Sequence, residues 1–86
     1  MIKVTVDHRA EEPPYLQLAG ILRARIASGE LAPGVMIPSI TTLSQEYGVA
    51  VSTVRRSLGV LKAEGLIRTR PSWGTFVVPE AERPKN

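Results

Sequence analysis

Ser52, Thr53, Arg55 and Arg56 set two hydroxyls and two guanidiniums within five consecutive residues. Both group types donate hydrogen bonds that phosphate oxygens and the acceptor edges of bases take up. Val54, Leu58 and Leu61 recur among and after them at helical spacing. This predicts a helix over Val51–Glu64 with an apolar back and a polar, basic front. Neighbouring helix positions diverge by about 100°, so Arg55 and Arg56 cannot face one partner equally. Ser52 and Thr53 have a second use as helix caps, because Ala50, at the expected cap position, has no acceptor side chain.

No other chemistry is as well supplied. The chain has no cysteine and a single histidine, with no glycine-rich phosphate loop and no cluster of acids around a base. Catalysis is therefore not expected, and neither a cofactor nor a metal is implied. His8 has no carboxylate or second histidine at ligand spacing and reads as a solvated arm residue.

The elements that must position the polar quartet can be read around it. Ser39–Tyr47 is a short amphipathic stretch with Ser39 as its N-cap, although residue 42 is not the Glu or Gln of a full capping box. Gly48 separates this stretch from the helix at Val51, which is the pattern of a helix-turn-helix. Upstream, Tyr15, Leu18, Ala19, Leu22 and Ile26 define one face of a helix that Pro14 opens and Gly29 ends. Pro33-Gly34 fits the centre of a type II turn, and Val35–Ile37 a brief strand. Downstream, Gly65 fits a left-handed cap, and Leu66–Arg70 and Thr75–Val78 form a hairpin across Pro71-Ser72-Trp73-Gly74.

Three helices plus a small antiparallel sheet with a protruding hairpin make an α+β fold, a winged helix-turn-helix. Its expected core is Leu18, Leu22, Ile26, Leu43, Val54, Leu58, Leu61, Ile67 and Phe76, with Tyr15 and Tyr47 also facing inward. Residues 1–13 form an arm in which Ile2, Val4 and Val6 alternate like a short strand. The winged helix occupies 14–78, and 79–86 reads as a polar tail or the start of a linker.

Eighty-six residues suffice for one domain with one modest core. The net charge of +3 is unevenly placed. Arg55, Arg56, Lys62, Arg68 and Arg70 face only Glu64 between residues 51 and 71, whereas residues 1–50 are slightly acidic. A localised basic face is the footprint of a polyanion binder. No apolar run is long enough to cross a membrane, so no membrane partner is expected.

The order of elements closely resembles the DNA-binding domain of GntR-family bacterial transcription regulators. The pieces that carry the likeness are Pro-Tyr-Leu-Gln (14–17), Ile-Ala-Ser-Gly-Glu-Leu-Ala-Pro-Gly (26–34), Ile-Pro-Ser (37–39), Tyr-Gly-Val (47–49), Thr-Val-Arg-Arg-Ser-Leu (53–58), Glu-Gly-Leu-Ile (64–67) and Gly-Thr-Phe-Val (74–77). The resemblance implies sequence-specific binding of an operator in double-stranded DNA, in the bacterial cytoplasm at the nucleoid. It implies a homodimer in the full-length protein, and a small-molecule effector only if a C-terminal domain exists outside this chain.

By resemblance, contacts come from the start of the second helix, the recognition helix and the wing. The candidate set is Ser39, Thr41, Ser52, Thr53, Arg55, Arg56, Arg70, Trp73, Gly74 and Thr75. Arg55 is favoured for DNA, and Arg56 is divided between DNA and an acid on the protein surface. Trp73 is expected first to fold back onto the hairpin, and otherwise to stack on a sugar or base or to meet a protein.

Three places depart from the family's pattern. Ile40-Thr41 stands where Glu-Arg is common, Val51 where an arginine is common, and Ser72-Trp73-Gly74 where Gly-Arg-Gly is common. An altered operator or weaker affinity follows from the lost guanidiniums. The competing expectation is a winged helix for protein–protein contact with Trp73 at its centre.

Overall fold

Pro14 occupies the first turn of α1 (Pro14–Ala27), where its missing N–H removes no hydrogen bond. The computed structural model describes residues 5–84. In it, α1 is followed by α2 (Ile40–Tyr47), α3 (Val51–Ala63) and a hairpin of β1 (Ile67–Arg70) with β2 (Gly74–Val77). Leu18, Ala19, Leu22 and Ile26 form the buried stripe of α1, which packs against α3. Between α1 and α2 the expected turn is present: the Val35 amide donates to the Ala32 carbonyl at 3.1 Å, and Gly34 takes φ 79°.

Ser39 caps α2 as its residue type predicts. Its hydroxyl oxygen accepts from the Thr42 amide at 3.1 Å and donates to Thr42 Oγ1 at 2.9 Å. Gly48 ends α2 in the left-handed region, φ 64° and ψ 40°, which reverses the chain toward α3. The turn is held on both sides. The Val49 amide donates to the Ser44 carbonyl at 3.1 Å, and the Ser44 hydroxyl donates to the Val49 carbonyl at 2.6 Å. Val49 is itself buried.

Val54, Ser57, Leu58 and Leu61 line the buried side of α3. Ser57 is fully buried; its hydroxyl donates to the Tyr15 carbonyl at 2.8 Å, with the Thr53 carbonyl at 3.0 Å as a second acceptor. That bond fixes the start of α1 against the middle of α3. Beyond α3, the Leu66 amide donates back to the Leu61 carbonyl, closing the helix as the glycine at 65 predicts.

The hairpin pairs Ile67 with Val77, Arg68 with Phe76, Thr69 with Thr75 and Arg70 with Gly74. Ile67 and Val77 point into the core, so alternation sends Phe76 to the opposite face beside Arg68. Phe76 is therefore only half-buried, and Val77 and Val78 take the core places assigned to it from sequence. The brief strand expected at Val35–Ile37 is a single bridge from Met36 to Phe76. It is extended by bonds from the Ile37 amide to the Thr75 carbonyl at 2.9 Å and from the Val77 amide to the Val35 carbonyl at 3.0 Å.

Ile2 and Val4 of the expected N-terminal strand lie outside the described residues. Val6 is buried, and the arm is tied to α1 by Gln17. The Gln17 amide group donates to the Asp7 and Glu12 carbonyls, each at 2.7 Å, and its oxygen accepts from the Asp7 amide at 2.8 Å. His8 is exposed but placed: its Nε2 lies 3.2 Å from the Gly48 carbonyl, at the helix-turn-helix turn. After Pro79 a short 3-10 turn (Glu80–Glu82) brings Pro84 against Gly65, leaving no room there for a Cβ.

Candidate nucleic-acid interface

Electrostatics separate the faces of the molecule. Among the described residues, the ion pairs draw on the two arginines of α1. Arg23 grips Glu64 through two bonds of 2.9 and 2.7 Å, and Arg25 holds Glu30 and Glu46. The Glu64 hydrogen bonds hold the Arg23 guanidinium above its ordinary pKa. Arg25 also donates to the Tyr47 hydroxyl at 2.9 Å. Arg55, Lys62, Arg68 and Arg70 have no acid partner among the described residues and are exposed. The unneutralised positive charge is therefore concentrated on α3 and the wing, with Arg9 of the arm and Arg83 after the wing as further cations that have no acid partner among the described residues.

Ser52, Arg55 and Arg56 are exposed on α3, and Thr53 is half-buried. The capping use open to Ser52 and Thr53 is not taken: Ala50 is the N-cap and there is no side-chain cap hydrogen bond. The first-turn amides and the neighbouring hydroxyls therefore stay open at the positive end of the helix dipole, an arrangement that attracts anions. Val51, at the first helical position, is 40% exposed and presents an apolar surface beside them.

The two arginines diverge as helix geometry requires. Arg55 points free of the protein's acids. Arg56 lies over the Tyr15 ring, 4.0 Å from its centroid, so the surface acid expected as its internal partner is replaced by an aromatic face. Ser52, Thr53 and Arg56 line one shallow groove with Pro13, Pro14 and Tyr15.

The wing tip is a tight turn. The Trp73 amide donates to the Arg70 carbonyl at 3.0 Å, Pro71 takes the position that fixes φ, and Ser72 is held at φ 67°. Trp73 is 67% exposed, so the expected folding back onto the hairpin does not occur. The Arg70 guanidinium lies 4.6 Å from its ring centroid. Gly74 takes φ 115° and sits so close to Met36 that a Cβ would collide with that side chain.

A second groove joins the wing to the start of α2. It is lined by Ser39, Ile40, Thr41, Trp73, Gly74 and Thr75, with Met36–Pro38 as its floor. Five of the ten candidate residues thus meet in one groove, three meet at Tyr15, and Arg55 and Arg70 stand outside both. Two of the candidate hydroxyls are already engaged internally, that of Ser39 as the α2 cap and that of Thr75, 3.0 Å from that of Thr69. Met36 and Tyr15 are contributors that residue type did not reveal. Met36 read as strand, and the link of Tyr15 to Arg56 exists only once α1 packs on α3.

A winged helix with an uncovered recognition-helix front and unpaired cations on helix and wing defines a DNA-binding domain. The sequence matches the bacterial regulatory proteins of the gntR family over residues 14–77, and the chain belongs to that family. Among its relatives, the mannosyl-D-glycerate transport/metabolism system repressor MngR of Escherichia coli (strain K12) is 38% identical over 69 residues, covering 80% of this chain and 29% of MngR. The HTH-type transcriptional regulator Rv1152 of Mycobacterium tuberculosis (strain ATCC 25618 / H37Rv) is 33% identical over 72 residues, covering 84% of this chain and 60% of Rv1152. The chain thus spans less than two thirds of either relative.

Of solved structures, YtrA from Sulfolobus acidocaldarius, a GntR-family transcription factor, superposes with a TM-score of 0.80 at 35% identity, covering 87% of this chain and 79% of that one. AraR(DBD) in complex with operator ORX1 superposes with a TM-score of 0.79 at 29% identity, covering 87% of this chain and 95% of that one.

Proposed function

We propose that this domain binds an operator in double-stranded DNA without catalysis, α3 entering the major groove and the wing lying alongside on backbone or minor groove. The observation that carries the reading is the charge partition: the α1 arginines are paired internally, and those of α3 and the wing are left for an outside anion. Arg55 is the principal base or phosphate contact, Ser52 and Thr53 supply hydroxyls, and Arg56 contributes while stacked on Tyr15. Ser39 and Thr41 meet backbone at the start of α2, and Arg70, Trp73, Gly74 and Thr75 form the wing contact. Val51 adds an apolar surface, the complement of a thymine methyl.

The full-length protein acts as a homodimer in the bacterial cytoplasm, at the nucleoid. A small effector belongs to this reading only with a further domain. Solved AraR(DBD)–operator complexes of this fold support the binding of double-stranded DNA. In-vitro selection of duplexes bound by the domain tests the proposal: a recurrent motif is the expected result, and recovery of unenriched sequence would overturn it in favour of the protein-contact reading.

A further inference from the structure

Trp73 stands out among the exposed apolar side chains. It is the chain's sole tryptophan, is 67% exposed, and sits at the tip of a hairpin rather than at the edge of the core. Exposed indole of this extent is ordinarily found where it has a partner. We infer that Trp73 is a stacking wedge that enters the minor groove and lies against a base step or sugar. This deepens the DNA-binding reading and rests on it.

Three features support the assignment. The first is rigidity: Pro71, the positive φ of Ser72 and the Trp73-to-Arg70 backbone bond fix the tip. A stiff tip carries its side chain into a groove with little loss of conformational freedom. The second is charge. Arg70 lies against the indole with Arg68 on the same strand, and neither has an acid partner among the described residues. A ring flanked by guanidiniums suits a site walled by phosphates, where an apolar wedge and adjacent arginines are used together.

The third is position. Trp73 lines the groove shared with Ser39 and Thr41, and it also lines the groove on the hairpin's other side with Met36 and Phe76. It is the ridge between two depressions, so it projects rather than forming a floor. A duplex seated against the start of α2 would meet that ridge. A protein partner, the other occupant with suitable chemistry, would use the apolar floor around Met36 and Phe76, and its site would not depend on nucleic acid.

Because Trp73 is the sole tryptophan, its own emission reports on the tip. The test titrates the 86-residue chain with a duplex recovered by selection, following tryptophan emission, acrylamide quenching and the end-to-end distance of the duplex by energy transfer. Expected are strong quenching of emission, shielding from acrylamide and a shortened end-to-end distance. Trp73→Ala should weaken binding roughly 5- to 150-fold, the range for loss of one stacked aromatic, and restore the straight duplex. Trp73→Phe should retain much of the affinity and bending. Replacing G·C by I·C pairs under the wing removes only a minor-groove amino group and should change the affinity of the parent but not of Trp73→Ala. Undiminished binding by Trp73→Ala, with emission of the parent unmoved by the duplex, overturns the wedge while leaving DNA binding intact. Failure of the parent chain to bind any duplex overturns the underlying reading.

Discussion

Arg55 and Arg56 are adjacent, chemically identical and destined for different partners. Arg55 has no internal acid, so Arg55→Ala should remove about 1–3 kcal/mol of duplex binding and leave the melting temperature nearly unchanged. Arg56 covers the Tyr15 ring, so Arg56→Ala should lower stability by about 0.5–1 kcal/mol and weaken binding less. Anisotropy titrations and thermal melts on the two variants check this; the reverse pattern would exchange their roles. Helix periodicity showed that the two must diverge. It did not show which way, because Tyr15 reaches Arg56 only through the packing of α1 on α3. Ser72 offers a stability test at the same scale. Its φ of 67° lies where a Cβ is strained by roughly 1 kcal/mol or more. Ser72→Gly should raise the melting temperature by a few degrees, partly offset by the greater freedom of unfolded glycine. An unchanged or lower melting temperature would show that the tip is not strained.

Between elements, Arg25 of α1 reaches Glu46 and Tyr47 of α2. The Tyr47 hydroxyl accepts from Arg25, yet burial dominates and holds the phenol above its ordinary pKa of 10.0. A raised folded-state pKa means that the fold favours the neutral phenol. Its contribution to stability is complete below the unfolded pKa and is lost as pH rises through the folded value. Denaturant titrations should therefore show a component of stability lost above about pH 10. Tyr47→Phe, compared with the parent at each pH, should lack that component; parallel curves for the two proteins would refute the linkage.

The elements themselves were plain in the sequence. Proline and glycine mark α1, Ser39 and Gly48 bracket α2, and the apolar stripe of α3 gives its register. The sheet was less legible, because Phe76 and Val77 are equally apolar and only pairing with Ile67 decides which faces the core. The placement of His8 at the Gly48 carbonyl and of Pro84 on Gly65 depends on long-range packing that local pattern does not encode.

At the scale of the molecule, charge and dimensions set how the domain can meet DNA. Its principal extents are 37 × 28 × 26 Å, and successive turns of one DNA face lie about 34–36 Å apart. Two such domains can therefore occupy neighbouring major grooves of one face side by side, each filling its own turn. On α3 and the wing each brings Arg55, Arg56, Lys62, Arg68 and Arg70, none with an acid partner among the described residues, and an uncapped helix start. Counterion release scales with the phosphates neutralised, by about 0.9 per phosphate in the slope of log affinity against log salt. A single domain should give a slope of about −2 to −3.5, and two domains joined as a dimer about −4 to −7 on a two-half-site duplex. Anisotropy between roughly 50 and 200 mM salt spans the useful range. Tethering should also raise affinity steeply on paired half-sites one turn apart and little on sites half a turn apart, where the second α3 would face away from its groove. A slope flatter than about −1 for the dimer would mean that these cations do not meet phosphates. The charge partition would then belong to some other anionic partner.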